Sequence, residues 1–128
     1  MSEPGSVTRA VGGLLRADDQ PDLWLPVLLR WAPSDPFAVR MVLLVDTTSS
    51  VEWLLSRELL TEALTGPAGC GDVHVRVDGS DVAVDLAGEC CLRMPLADVV
   101  EVLTASYAVV PTGSEAVSEA AFAALLGA

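Results

Sequence analysis

The sequence predicts an α+β domain: strands first, one helix among them, more strands, then helices. Three observations carry this. Val73, Val75, Val77 and then Val82, Val84, Leu86 alternate with other residues on either side of Asp78-Gly79, a strong signal for a two-strand hairpin. Phe37, Val39, Met41, Leu43 and Val45 alternate as well, with Arg40 on the other face beside Val42 and Leu44, a strand expected to be buried on both faces. After Pro95 the period becomes helical: Leu96, Val99, Val100, Leu103 and Tyr107 share a stripe, with Asp98 and Glu101 opposite.

The other elements follow in chain order. Residues 1–6 are expected to be a flexible tail. Val7–Ala17 reads as a strand interrupted at Gly12-Gly13. Leu23–Trp31 is a second strand, where Pro26 points to an edge or a bulge. Ala32–Pro36, with two prolines, reads as a turn before the strand Phe37–Val45. Val51–Thr65 has two readings. Ser49 and Glu52 have capping-box spacing, and Val51, Leu55, Leu59 and Ala63 fit one long helix. A strand Val51–Leu55 followed by a Ser56-capped helix Arg57–Thr65 fits too, and Trp53 lies off the helical stripe. Gly66-Pro67 ends the helix on either reading, and Ala68–Gly71 reads as a loop. Strands Asp72–Val77, Val82–Ala87 and Glu89–Met94 form a meander. Pro111 and Gly113 break the chain, and Thr112 with Glu115 has capping-box spacing before an Ala-rich last helix.

The 128 residues are expected to form a single domain, 1–128. Seven arginines, no lysine and eighteen acidic residues give a net charge of −11. Nucleic-acid binding by phosphate neutralisation wants the opposite sign, so none is expected at physiological salt. The arginines (Arg9, Arg16, Arg30, Arg40, Arg57, Arg76 and Arg93) stand singly along the chain. Mean hydropathy is nonetheless +0.49, which predicts that part of the apolar surface is covered in a homo-oligomer. Met1–Gly5 has no signal-peptide pattern, and no apolar run approaches the length of a spanning helix, so a cytoplasmic protein without membrane insertion is expected.

The sequence carries no recognisable catalytic constellation. His74 is the one histidine, with Asp72 on its strand face. Ser56 or Ser80 could complete a triad only on paper, since no G-x-S-x-G elbow is present. Gly66–Gly71 is glycine-rich but lacks the lysine and hydroxyl of a phosphate loop. Asp72, Asp78, Asp81 and Asp85 lack calcium-loop spacing, and Cys70, Cys90 and Cys91 with His74 lack zinc spacing. The cysteines read as small buried residues, and no cofactor or metal is expected. Trp24, Trp31 and Trp53 read as packing or oligomer contacts rather than base-stacking platforms, there being no basic groove around them.

Asp35-Pro-Phe-Ala-Val-Arg40, Trp53, Ser56-Arg-Glu-Leu-Leu60, Gly66-Pro67, Gly69, Gly71-Asp-Val73 and Val110-Pro-Thr-Gly-Ser-Glu115 stand in a specific order and spacing. In these residues the chain resembles the SsgA-like sporulation and cell-division proteins of actinomycetes. The resemblance implies a Whirly-like single-strand-binding fold: antiparallel β-sheets forming a barrel-like core, with one inserted helix and C-terminal helices. It selects the strand-then-helix reading of Val51–Thr65. It also implies a trimer and a non-enzymatic adaptor at the division septum, which helps localise septation and recruits the tubulin-like division GTPase. Arg40, Trp53, Arg57 and Glu58 are the partner-binding candidates. An ion pair from Arg40 to Glu58 or another carboxylate is expected. The alternatives are a single-stranded nucleic-acid binder with a Whirly-like fold and a small acidic chaperone.

Overall fold

A computed structural model describes residues 3–115. In chain order the elements are β1 (Val7–Ala17), β2 (Leu23–Ala32), β3 (Asp35–Leu44), β4 (Ser50–Ser56), α1 (Arg57–Ala63), β5 (Ala68–Cys70), β6 (Val73–Asp78), β7 (Asp81–Leu86), β8 (Cys90–Pro95) and α2 (Leu96–Val109). One antiparallel eight-stranded sheet, ordered β4-β3-β2-β1-β8-β7-β6-β5, replaces the several sheets expected. It curls as a half-barrel around both helices. The curl is visible in what α1 touches: β3 and β4 from one end of the sheet, β5 and β6 from the other. α2 lies across the middle, on β1, β2, β7 and β8.

Alternation decides which side chains enter the concave face. Val27, Leu29, Val39, Met41, Leu55, Val75, Val84, Leu92 and Met94 point inward and are almost fully buried against Leu59, Leu60, Val99, Val102 and Leu103 of the helices. The convex face carries no helix among the described residues. There Arg40 is exposed, so β3 is not buried on both faces as the sequence suggests; on the inward-facing row, Phe37 near its start and Val45 just past its end are about half exposed. The stripe of α2 is also rotated from the expected one. Val99, Val102, Leu103 and Ser106 are buried while Val100 is exposed. Asp98 and Glu101 both pair with Arg9 of β1.

The two glycines of β1 do not interrupt it. Gly12 faces open space, whereas a Cβ on Gly13 would lie 2.8 Å from Val27 and 2.9 Å from Leu92. Any larger residue there would have to push these two buried side chains aside. Pro26 pairs with Gly12 of β1, and the β2–β3 ladder starts one residue later at Val27↔Leu43, so its missing N–H falls where only one flank is paired. The expected five-residue turn before β3 contracts to Pro33-Ser34, with Pro36 inside the strand. Gly79 opens the β6–β7 turn at φ +63°, the left-handed geometry that a two-residue hairpin asks of glycine.

Val51–Thr65 splits as the resemblance implies. The Ser56 side chain accepts a bond from the Leu59 N–H at 3.1 Å and caps α1, which ends at Ala63. Ala68–Gly71 is not simply a loop: Ala68–Cys70 pairs with β6 as the short edge strand β5. Pro95 precedes α2 as its N-cap rather than sitting inside it. The expected last helix lies outside the described residues.

Candidate functional site

The buried arginine of this molecule is Arg57. Its side chain is 1% exposed. Nη1 donates to the Val110 carbonyl at 2.9 Å and approaches Ser106 Oγ at 3.4 Å. Nη2 lies 3.3 Å from Glu115 Oε2, near enough for ion pairing though it completes no hydrogen bond. The guanidinium sits 4.0 Å from the Tyr107 ring centroid and 5.4 Å from that of Trp31. Trp31 is itself buried and donates Nε1–H to the Pro36 carbonyl at 3.0 Å. Tyr107 shares a 2.7 Å hydroxyl contact with Thr61. One cation therefore joins the first turn of α1, the end of α2 and the segment Val110–Glu115. The Glu115 carboxyl is held below its ordinary range by its own backbone N–H first, then by the Gly113 N–H and Arg57.

Arg57 thus works inside the molecule. The other sequence candidates are spread apart. Glu58 is exposed on the first turn of α1, and Trp53 is half-buried, packed against the core from the edge strand β4. Arg40 is on the convex face, where Nη1 reaches Glu52 Oε1 at 3.2 Å; its carboxylate partner is Glu52, not Glu58. The structure does not assemble these four residues into one surface.

The candidate surface is instead the convex face of β1–β4. Along its rows, Leu14 pairs with Trp24, Gly12 with Pro26, Leu28 with Val42, and Arg40 with both Arg30 and Leu54. Trp24 is 72% exposed and Leu54 58%. Of the three tryptophans, then, Trp31 is a packing residue, Trp53 partly so, and Trp24 a surface platform. Near Arg30 and Arg40 the face holds a cleft of about 590 Å³ whose lining includes Ser6, Thr8, Ser34 and Ala38. Sequence reading missed Arg30. Its outward position is readable from the inward run Leu25, Val27, Leu29, Trp31, but its opposition to Arg40 needs the strand register.

The residues weighed for catalysis and metal binding do not assemble into a site, although His74 faces Asp85 across the strands and Asp78 faces Asp81, both of the latter held by Arg93. His74 is exposed and pairs across the strands with Gly69 and Asp85, and the Asp85 carboxylate accepts from Arg76 at 3.1 Å. Ser56 is engaged as the cap of α1, and Ser80 lies in the β6–β7 turn. Among the described residues no group of His, Cys, Asp and Glu could hold a metal ion. The cysteines are less buried than expected: Cys70 is exposed, Cys90 and Cys91 half-buried. Burial pushes both latter thiols up, helped by Glu89 at Cys90 and by the hydrogen bond to Asp85 at Cys91, so neither is an activated nucleophile. No described helix is long and apolar enough to cross a membrane.

Residues 25–115 match the family model described as Streptomyces sporulation and cell division protein, SsgA. The chain belongs to the SsgA family. Among its relatives is the sporulation-specific cell division protein SsgB of Thermobifida fusca, 33% identical over 123 residues, covering 90% of this chain and 89% of that protein. SsgB of Streptomyces coelicolor is 34% identical over 108 residues, covering 79% of each chain. The crystal structure of an SsgA-like sporulation-specific cell division protein from Thermobifida fusca superposes with a TM-score of 0.80 at 31% identity, covering 99% of this chain and 98% of that one. A structure solved in work relating mutations in SsgB to longitudinal cell division during sporulation of Streptomyces coelicolor gives 0.78 at 32% identity, covering 86% and 92%. The Arg57 knot gives two of the recognised segments a physical reason: Ser56–Leu60 and Val110–Glu115 of this SsgA-family chain meet at one guanidinium.

Proposed function

We propose that this SsgA-family chain is a non-enzymatic adaptor in sporulation-specific cell division, which helps localise septation and recruits the tubulin-like division GTPase. The observation that carries the reading is its 33% identity, over 90% of the chain, to a protein named for sporulation-specific cell division. The convex face supports it, because exposed Trp24 and Leu54 offer the kind of apolar contact that protein partners use. The working unit in this proposal is a cytoplasmic homo-oligomer, a trimer, gathered at the septum. The open edge of β4, with Val51 and Leu54 exposed, supports association. A Whirly-like fold belongs to the same proposal and rests on the sequence resemblance.

The test is affinity purification of the tagged chain from sporulating cells after mild cross-linking. Enrichment of the tubulin-like GTPase over an untagged control is the expected result. Enrichment of a different, unfolded client would favour the chaperone reading, and recovery of nucleic acid alone would favour the single-strand-binding one.

A further inference from the structure

Six of the seven arginines are in ion pairs with carboxylates: Arg9, Arg16, Arg40, Arg57, Arg76 and Arg93. Arg30 has no ion pair or side-chain hydrogen bond among the described residues, in a chain of net charge −11. It does not point into open solvent alone. It lies directly across the strands from Arg40, and both line the 590 Å³ cleft of the convex face. Like charges at directly opposed positions of an antiparallel pair repel, because their Cβ atoms are only about 5 Å apart. Glu52 engages one of the two cations; the other has no ion-pair partner among the described residues, although Glu3 and Asp35 line the same cleft. The remaining wall supplies the hydroxyls of Ser6 and Thr8, and Ala32 and Ala38 as small apolar surface, while the Ser34 hydroxyl donates to Glu3 Oε2 at 2.9 Å.

We propose that the Arg30–Arg40 cleft binds a carboxylate side chain of an acidic peptide segment on a protein partner. A guanidinium fork matches a carboxylate in two parallel hydrogen bonds, and a second cation one strand away holds the same anion or the next one along. A peptide fits better than a nucleic acid for two reasons. Glu3 and Asp35 also line the cleft and repel any anion, a cost that one carboxylate seated on Arg30 meets once and a continuous run of phosphates meets along its whole path. The charge of the whole chain repels an extended polyanion, whereas one or two carboxylates between neutral or apolar residues meet mainly the local field. Leu54, beside Arg40 in the same row, provides an apolar neighbour for such a segment. This deepens the adaptor reading and rests on it for the kind of partner.

The experiment is fluorescence anisotropy of the full chain with a labelled, end-capped heptapeptide carrying two glutamates among Gly and Leu, at low and at physiological salt. A labelled oligothymidylate is run alongside. The expected result is saturable peptide binding that Arg30→Gln weakens by about tenfold, the scale of one lost charge-assisted contact. Glu52→Gln, which releases Arg40, strengthens it several-fold. Arg76→Gln changes net charge equally on the far half of the sheet and leaves binding within about twofold. Absence of saturable binding overturns the proposal. So does equal weakening by Arg30→Gln and Arg76→Gln, which would mean that net charge alone is read. Oligothymidylate binding tighter than the peptide and lost in Arg30→Gln overturns it in favour of a nucleic acid. Because the probe is an isolated peptide, these failures leave the purification test of the adaptor reading undecided by them. Thermal melts check folding of each variant, and Arg30→Gln is expected to melt no lower than the parent, since a like-charge pair is removed.

Discussion

Arg57 shows how far a single side chain can be read from sequence. The strand arginine Arg40 invites a buried ion pair, because its neighbours Val39, Met41 and Val42 are apolar; β3 turns it outward instead, and a helix arginine takes the buried place. Nothing in the spacing predicts this, since the carbonyl and carboxylate that hold Arg57 come from residues 110 and 115. Arg57→Ala is therefore expected to lower stability by about 3 kcal/mol in denaturant unfolding, because it empties a stacked, hydrogen-bonded site. Arg57→Lys keeps the charge but not the planar stack, and loses about half as much. The pH dependence has a definite sign. Glu115 has a folded-state pKa lowered from the ordinary 4.5, so its contribution is complete above that value and disappears as the pH falls through the lower folded value. Glu115→Gln should flatten the acid limb of the stability curve below about pH 4.5 and leave its alkaline side unchanged.

Elements were more legible than residues wherever the period was long and clean. The β6–β7 hairpin and α2 follow from alternation and from the stripe after Pro95. Two readings failed for reasons of packing. The glycines of β1 look alike in sequence, but Gly13 faces Val27 and Leu92 while Gly12 faces open space. Gly13→Ala is expected to cost about 1–3 kcal/mol as an over-packed core site, and Gly12→Ala within about 0.5 kcal/mol, by thermal or urea unfolding. The strand β5 is too short to show a period, and its glycine has a specific neighbour: a Cβ on Gly69 would lie 2.5 Å from His74 Nδ1. Gly69→Ala should destabilise by about 1 kcal/mol in the parent and much less in a His74→Ala background, a non-additivity that a double-mutant cycle measures directly. Ser56→Ala, removing the cap of α1, should cost about 1 kcal/mol.

At the scale of the molecule, the α+β class and the order of elements are legible in the sequence and a barrel-like antiparallel core in the resemblance, whereas its construction from one half-barrel sheet is not. Composition has no signal for curl, which arises because α1 packs against strands from both ends of the sheet at once. Among the described residues the same curl leaves one broad face without helices, and that face holds the exposed Trp24 and Leu54 and the Arg30–Arg40 cleft, none of which a linear pattern of charge reveals. The proposed trimer predicts a mass in light scattering near three times 13.3 kDa at micromolar concentration; a 13.3 kDa particle would contradict it. The adaptor claim is tested most directly by sedimenting polymers of the purified tubulin-like division GTPase with the purified chain. The account predicts that the chain pellets with the polymers, saturates at a fixed ratio, and stays in solution when nucleotide is withheld and no polymer forms. A chain that remains in the supernatant across polymer concentrations well above micromolar would contradict it.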